Sequence, residues 1–251
     1  MKAAILTEFN RPLAIEDVEP LPPGPRDVVV KIDASGVCHS DLTAATGGIP
    51  IAPPLILGHE GAGTVLEVGP EVTRVRPGDR VVASFIPACG DCFFCLNGQS
   101  NLCELTMTTM LTPHAARRDG THLMAMTGLG TFAETMTVHE AHLVKIDSEL
   151  PPDQLALIGC GVTTGVGAAL NTARILPGSS VAVIGCGGVG QAVIQGARIA
   201  GAARIFAIDP VEMKRKTAET LGATDPIDPA QGDPVEQVRA RTGGRGADYA
   251  F

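Results

Sequence analysis

The chain has 251 residues, 45% apolar and 18% charged, with a formal net charge of −8. That balance supports one large or two ordinary globular domains with a sizeable core. With no run of Lys or Arg, one Tyr and no Trp, it disfavours a nucleic-acid surface and an anionic-membrane surface.

The first 150 residues read as short β-branched runs divided by Gly and Pro turns. Strands are predicted at 28–32, 63–68, 80–84, 135–138 and 142–146, the pattern of a strand-rich, barrel-like domain. After Pro151-Pro152 the texture changes. Residues 154–174 carry Ala, Gly and Leu at helical spacing. Ser180-Val-Ala-Val-Ile184 has no polar alternation and reads as a buried strand. A helix follows at 189–200, a strand at 204–208, a helix at 211–221 with Gly222 as its C-terminal cap, and a helix at 233–242. This β-α-β-α alternation predicts a doubly wound parallel sheet. Met1–Leu6 is too short for a signal-peptide core, and every long apolar stretch is broken, so no membrane span is expected. Seven cysteines, an odd number, in a chain without an export signal point to reduced thiols and a cytoplasmic location.

Four of those cysteines are spaced Cys-x2-Cys-x2-Cys-x7-Cys, at Cys89, Cys92, Cys95 and Cys103. Thiolates this close in sequence can close a tetrahedron on one zinc. An iron–sulfur cluster uses similar spacing, but a Pro usually follows one of its ligands, and here Glu104 follows Cys103. Four unrelated buried thiols are the plainer alternative. The pattern favours a closed, structural zinc site.

Cys38-His-Ser-Asp41, Gly58-His-Glu-Gly61 and Gly159-Cys-Gly161 are weak signals singly, since an isolated His or Cys is more often a packing residue than a ligand. In this order around the four-cysteine lobe, with Gly-His-Glu-Gly-Ala-Gly at 58–63 and Gly-Cys-Gly-Val-Thr-Thr-Gly at 159–165, they resemble the zinc-containing medium-chain alcohol dehydrogenases over the whole chain. The likeness is strongest to the branch that includes glutathione-dependent formaldehyde dehydrogenases. The resemblance implies a GroES-like β-barrel catalytic domain at 1–161, with the zinc lobe at about 86–106, and an incomplete Rossmann-type NAD-binding domain at 162–251. It implies two zincs per chain, the second on Cys38, His59 and Cys160. It also implies hydride transfer from a zinc-bound alkoxide to NAD, or from the reduced cofactor to an aldehyde, in a homo-oligomer. Two thiolates and one neutral imidazole suit that role, balancing the charge of zinc and leaving a fourth position open. On the same resemblance Asp41 holds the ring of His59, Glu60 lies behind the metal, and Ser40 begins a proton relay. The position that often ends the relay with His is Thr43 here, which is no base. His39 falls at a position facing the cofactor pyrophosphate.

Gly185-Cys-Gly187-Gly188-Val-Gly190 matches Gly-x-Gly-x-x-Gly between a buried strand and a helix, the context a dinucleotide site needs. Asp209, after the next strand, is expected to bind the adenosine ribose and to select NAD over NADP. Lys214 matches a family position on the same ribose, and Thr164 and Val189 match positions behind the nicotinamide. Cys186 reads as packing.

His139-Glu-Ala-His142 is one residue short of a zinc-binding His-Glu-x-x-His and falls on a predicted strand, so both histidines are expected at the surface. His114 and His122 are expected in a polar loop without a specific role. The acidic and basic anchors of the glutathione-dependent branch are absent: residues 43–51 carry no acid, and Met107 takes the basic position. Phe85 and Ile49 therefore point to an apolar pocket for a simple alcohol. Gly246–Phe251 reads as a fourth strand of the cofactor domain, cut in mid-strand. Two other readings stay open: a relative that retains NAD and passes electrons to another acceptor, and a truncated zinc-binding domain without turnover.

Overall fold

In the computed structural model, which describes residues 1–251, the β-branched run Asp27–Gly36 becomes the second strand of a five-stranded antiparallel sheet. The order is Thr135–His139, Asp27–Gly36, Glu60–Val68, Arg80–Ala83, Leu143–Lys145. Val28 and Val30 are buried while Val29 and Lys31 are not, the period of two that a one-sided core requires. They pack with Val65, Val81, Met136 and Val138. Gly63 is required here: a Cβ on it would come within 2.1 Å of the Lys31 carbonyl oxygen. A second, six-stranded sheet holds Lys2–Leu6 and Leu55–Ile56 and pairs the latter in parallel with His122–Ala125; Ala3 also makes an isolated antiparallel bridge to Ala133, two residues before strand Thr135–His139. These elements make one compact unit, Met1–Cys160.

The second unit, Gly161–Phe251, carries a four-stranded sheet in the order Asp225–Ile227, Arg204–Ile208, Ser180–Ile184, Tyr249–Ala250. All its pairs are parallel. In chain order that is 3-2-1-4, with the reversal of direction beside the first strand, where doubly wound sheets bind ligands. The alternation within the strands feeds two cores. Val181, Val183, Ile205 and Ala207 pack on one side with the helix Gly188–Ile199, and Ala182, Phe206 and Ile208 pack on the other with Val238 of Pro234–Arg241.

Two expectations need correction. The stretch 154–174 is not one helix. Pro152–Ala156 and a 3₁₀ turn, Leu157–Gly159, end at Cys160 (φ −138°, ψ −70°), and Gly161–Gly167 begins anew before a π-helical turn, Ala168–Thr172. Close approach is part of the reason: a Cβ on Gly159 would sit 2.4 Å from the Ala83 carbonyl oxygen. The second correction is His139–His142. The strand stops at His139, Glu140–His142 is a 3₁₀ turn, and both Glu140 and His142 are 0% exposed. His142 is buried because its ring Nδ1 reaches the Ser84 carbonyl oxygen at 2.8 Å. His122 does lie exposed, at the start of a strand, and His114 is half-buried. No single helix is long and apolar enough to cross a membrane.

Candidate metal centres and nucleotide cradle

The four lobe cysteines converge. Their sulfurs all lie within 4.8 Å of one another, and those of Cys89 and Cys95 are 3.8 Å apart. A tetrahedron with bonds of about 2.3 Å has an edge of about 3.8 Å, so the donor set fits zinc in size and in kind. Short helical turns, Phe93–Leu96 and Ser100–Leu102, carry the chain around the site, and Gly90 (φ +91°) and Gly98 (φ +73°) turn it. Backbone N–H groups already aim at sulfur: that of Cys92 at Cys89 Sγ, 3.4 Å, and that of Cys89 at Cys103 Sγ, 3.5 Å. N–H groups of Glu104 and Cys95 draw the Cys92 thiol down to about 6, whereas Asp91 and burial push Cys89 up to about 12. One sulfur ionises readily and its neighbour resists, as expected of crowded thiols that need a cation to ionise together.

Cys38, His59 and Cys160 form the second cluster, with ligand atoms again within 4.8 Å of one another. Three separate elements bring them there. Cys38 caps the helix His39–Ala45, His59 immediately precedes the strand Glu60–Val68, and Cys160 stands at the break after Leu157–Gly159. Asp41 organises the first two. It is buried, its Oδ2 accepts from the Cys38 N–H at 2.8 Å, and its Oδ1 accepts from the Gly58 N–H at 3.0 Å and lies 3.2 Å from His59 Nδ1. Gly58 (φ +90°) is indispensable, since a Cβ there would strike Thr131 Oγ1 at 2.4 Å. Burial works against a charged His59, yet the Asp41 carboxylate and the two thiols outweigh it and hold the metal-free ring up at about 11. For Cys38, burial is likewise outweighed, by Ser40 and His59, and the thiol is lowered. This pocket attracts positive charge, as a cation site should. The Phe85 ring meets His59 edge-on, with centroids 6.0 Å apart.

Around this cluster, Glu60 is buried against Gly36, where a Cβ would meet its Oε2 at 2.1 Å. Ser40 Oγ lies 3.7 Å from Cys38 Sγ. The Thr43 hydroxyl donates to the His39 carbonyl at 3.0 Å and lies 3.3 Å from His39 Nδ1, while His39 itself is exposed. In the same unit, Ile49, Leu55, Met110, Met124, Met126 and Thr127 line much of a cavity of about 370 Å³. Phe85 does not line it.

The glycine-rich turn follows strand Ser180–Ile184 and opens helix Gly188–Ile199. Gly185 has φ +89°, and a Cβ on Gly190 would come within 2.1 Å of the Gly185 carbonyl oxygen. Cβ atoms on Gly187 or Gly188 would meet nothing within 4 Å, so the cradle at the helix N-terminus is open to a phosphate. Asp209 does more than the sequence foretold. Only 4% exposed, it accepts the Cys186 N–H at 2.9 Å and the Val211 N–H at 2.8 Å, so it braces the turn from beneath. Burial opposes its charge, but those N–H groups, Lys214 (Nζ at 3.9 Å) and Arg215 keep the carboxyl below its usual range. Cys186 is buried, and its thiol is pushed up to about 11, so packing accounts for it. Val189 is partly exposed beside the cradle, and Thr164 lies on helix Gly161–Gly167.

A strand-rich unit with two sulfur-based metal clusters, joined in sequence to a parallel sheet with a phosphate cradle, defines a zinc- and dinucleotide-dependent dehydrogenase. Comparison with known proteins specifies it further. Residues 24–148 match the alcohol dehydrogenase GroES-like domain, and residues 188–251 match the zinc-binding dehydrogenase domain. The chain is 43% identical to an alcohol dehydrogenase class-3 of Myxine glutinosa, and all of it aligns with 69% of that protein. It is 44% identical to an S-(hydroxymethyl)glutathione dehydrogenase of Synechocystis, with 100% of the chain on 70% of that relative. Benzyl alcohol dehydrogenase from Acinetobacter calcoaceticus has the same fold, with a TM-score of 0.88, 32% identity, and coverage of 99% of this chain and 69% of that one. The chain belongs to the zinc-containing alcohol dehydrogenase family, oxidoreductases that work with zinc and NAD.

Proposed function

We propose that this chain transfers hydride between a simple, uncharged alcohol and NAD, with the aldehyde as substrate in reverse, using a zinc held by Cys38, His59 and Cys160. The carrying observation is the three-donor cluster itself: two sulfurs and one imidazole converge, and a zinc held by three protein ligands would keep a position for substrate. Zinc bound there would supply a Lewis acid for the substrate oxygen. The remaining work falls to the chain's own groups. Asp41 accepts from His59 Nδ1, fixing the tautomer whose unprotonated Nε2 would ligate the metal. Ser40, next to Cys38, would accept the substrate proton at its hydroxyl oxygen while passing its own hydroxyl proton on to water. Thr43 is no base, so the proton leaves through water. Glu60, buried against Gly36, stands at the family position behind the metal ligands, and His39 at the family position for the cofactor pyrophosphate.

Gly185, Gly187, Gly188 and Gly190 receive the pyrophosphate; Asp209 and Lys214 hold the ribose, and Thr164 and Val189 back the nicotinamide. In this reading 1–161 forms the catalytic domain, with Cys89, Cys92, Cys95 and Cys103 holding a second, structural zinc, and 162–251 forms the cofactor domain. The Ile- and Met-lined cavity and the uncharged stretch 43–51 favour an apolar alcohol over the glutathione adduct for which one relative is named. The benzyl alcohol dehydrogenase points the same way. We also place the protein as a homo-oligomer in the cytoplasm, without nucleic-acid or membrane partners.

The test combines metal analysis with an alcohol panel assayed with NAD and NADP. Two zincs per chain and oxidation of neutral alcohols with NAD are expected. Iron, a single zinc or exclusive use of S-(hydroxymethyl)glutathione would overturn the reading. NAD that stays bound through gel filtration, with turnover only on an added artificial acceptor, would favour the alternative electron route.

A further inference from the structure

The His139–His142 turn takes no part in the chemistry above, yet it is wired to both metal clusters. Glu140, with a side chain 0% exposed, is saturated. Its Oε1 accepts from Arg26 Nε and Nη2, each at 2.9 Å, and its Oε2 accepts from the Thr73 N–H at 2.8 Å and the Arg74 N–H at 2.9 Å. Arg74 then reaches across to the lobe, where its Nη2 donates to the carbonyls of Ala88 and Cys89, both at 2.7 Å. The rest of the turn grips the strap 84–89 directly. The Ser84 N–H donates to the His142 carbonyl at 2.7 Å, His142 Nδ1 to the Ser84 carbonyl at 2.8 Å, and the Ala88 N–H to the Ala141 carbonyl at 3.1 Å. One end of that strap carries Phe85, whose ring lies against His59; the other end is Cys89.

We infer that Arg74, held in place by Glu140, is a positioning residue for the lobe metal: it fixes the backbone of the first cysteine knuckle and supplies positive charge beside it. The inference rests on reading Cys89, Cys92, Cys95 and Cys103 as a zinc site. Two features distinguish this role from ordinary packing. Arg74 is exposed, so it contributes little to the core, yet it pins two consecutive carbonyls just ahead of Gly90, whose Cβ would lie 3.8 Å from the same nitrogen. Four thiolates on one divalent zinc would also leave a charge of about −2, and the Arg74 guanidinium is held against the carbonyl of Cys89, the first of them. A cation fixed at the rim opposes that excess charge.

The experiment uses the full chain loaded with Zn²⁺. Zinc release to a chromogenic chelator and the melting temperatures of loaded and metal-free protein are measured for wild type, Arg74→Ala, Arg74→Lys and Arg76→Ala. Arg76 is a neighbouring exposed arginine that pairs with Asp79 and serves as control. Release of the lobe zinc should quicken about tenfold to a hundredfold in Arg74→Ala, the usual cost of losing a group that supports metal ligands. Lys, which keeps the charge and one donor head, should restore most of the retention, and Arg76→Ala should behave as wild type. The metal-free forms should melt together, and only the increment from metal should shrink. An unchanged release rate, or an equal loss of melting temperature with and without metal, would overturn the role of Arg74. Cys92→Ser retaining two zincs would instead sink the zinc reading of the lobe, so the two failures are distinguishable.

Discussion

The two candidate metal clusters both rely on cysteine sulfur, one adding the His59 imidazole, but they are built in different ways. The lobe draws four sulfurs from one stretch of short turns, almost without a core of its own; Phe93, Leu96 and Leu102 are exposed. If it holds the proposed zinc, its order comes from the metal and from tethers such as Arg74. The Cys38–His59–Cys160 cluster collects three ligands from a helix cap, the start of a sheet strand and a helix break. Those elements are fixed by the barrel core and by Asp41 whether or not a metal is present. A site whose geometry is set by its scaffold can leave a coordination position open for chemistry. A site whose metal sets the geometry must be closed.

The largest test of this contrast is a pair of substitutions. Cys160→Ser should leave the melting temperature nearly unchanged and lower kcat by roughly 10³-fold or more, since the Lewis acid supplies several kcal/mol to the transition state. Cys92→Ser should do the reverse in kind: part of the folding free energy is lost with the metal, for a fall of roughly 10 °C in melting temperature. Calorimetry and steady-state kinetics on both variants check the pair; equal losses of stability would erase the distinction.

A smaller effect belongs to the nucleotide cradle, which resembles the open cluster in being preformed by its scaffold. An NADP 2′-phosphate beside the largely buried Asp209 carboxylate faces repulsion of about 4 kcal/mol at 4 Å and an effective dielectric near 20, before screening. About 1.5–3 kcal/mol of that should survive, a preference for NAD of roughly tenfold to a hundredfold. Asp209→Gly should abolish most of the preference, read as kcat/KM for each cofactor. Because Asp209 also accepts from Cys186 and Val211, the same variant should lose about 1–3 kcal/mol of stability in urea. A preference untouched by the change would remove Asp209 from the ribose.

How much of this could be read beforehand depended on whether the determinant was local. The lobe and the glycine turn are contiguous motifs, and both fold where the sequence put them. The Val181/Val183 and Ala182 faces follow from a run without polar alternation. Cys38, His59 and Cys160 became a set only through family resemblance, because no spacing rule joins a helix cap to residues so distant in sequence. The misreading of His139 and His142 as surface residues has the same origin. Alternation along a strand cannot reveal that Arg26, Thr73 and Arg74 converge on one carboxylate, or that Ser84 awaits the imidazole. A buried acid with five donors is a tertiary fact. The only hint was Glu140 itself, a charged residue just past the inward-packed strand Thr135–His139.

That buried turn supplies the last and smallest test, at the strap shared by both clusters. Burial pushes the His142 imidazole down to about 4, from an ordinary value of 6.5. The Ser84 carbonyl offsets this in part, and like charge on His139 and His114 adds to it. Its Nε2 is buried without a partner, so a proton arriving there finds no acceptor. The folded state therefore keeps the ring neutral while the unfolded chain takes up a proton below pH 6.5. Between about 4 and 6.5 the unfolded state binds more protons, so stability falls as pH falls through that window and this group adds nothing further below it. From pH 7 to pH 5 the loss amounts to about 2 kcal/mol. His142→Asn keeps an N–H donor for the Ser84 carbonyl and removes the titrating ring. Urea unfolding of both proteins at pH 7, 6 and 5 isolates the effect, since the metal clusters and carboxylates titrate alike in each. Wild type should lose about 2 kcal/mol more than the variant across that range; parallel curves would mean that His142 accepts its proton without cost, and that the strap is looser than its hydrogen bonds imply.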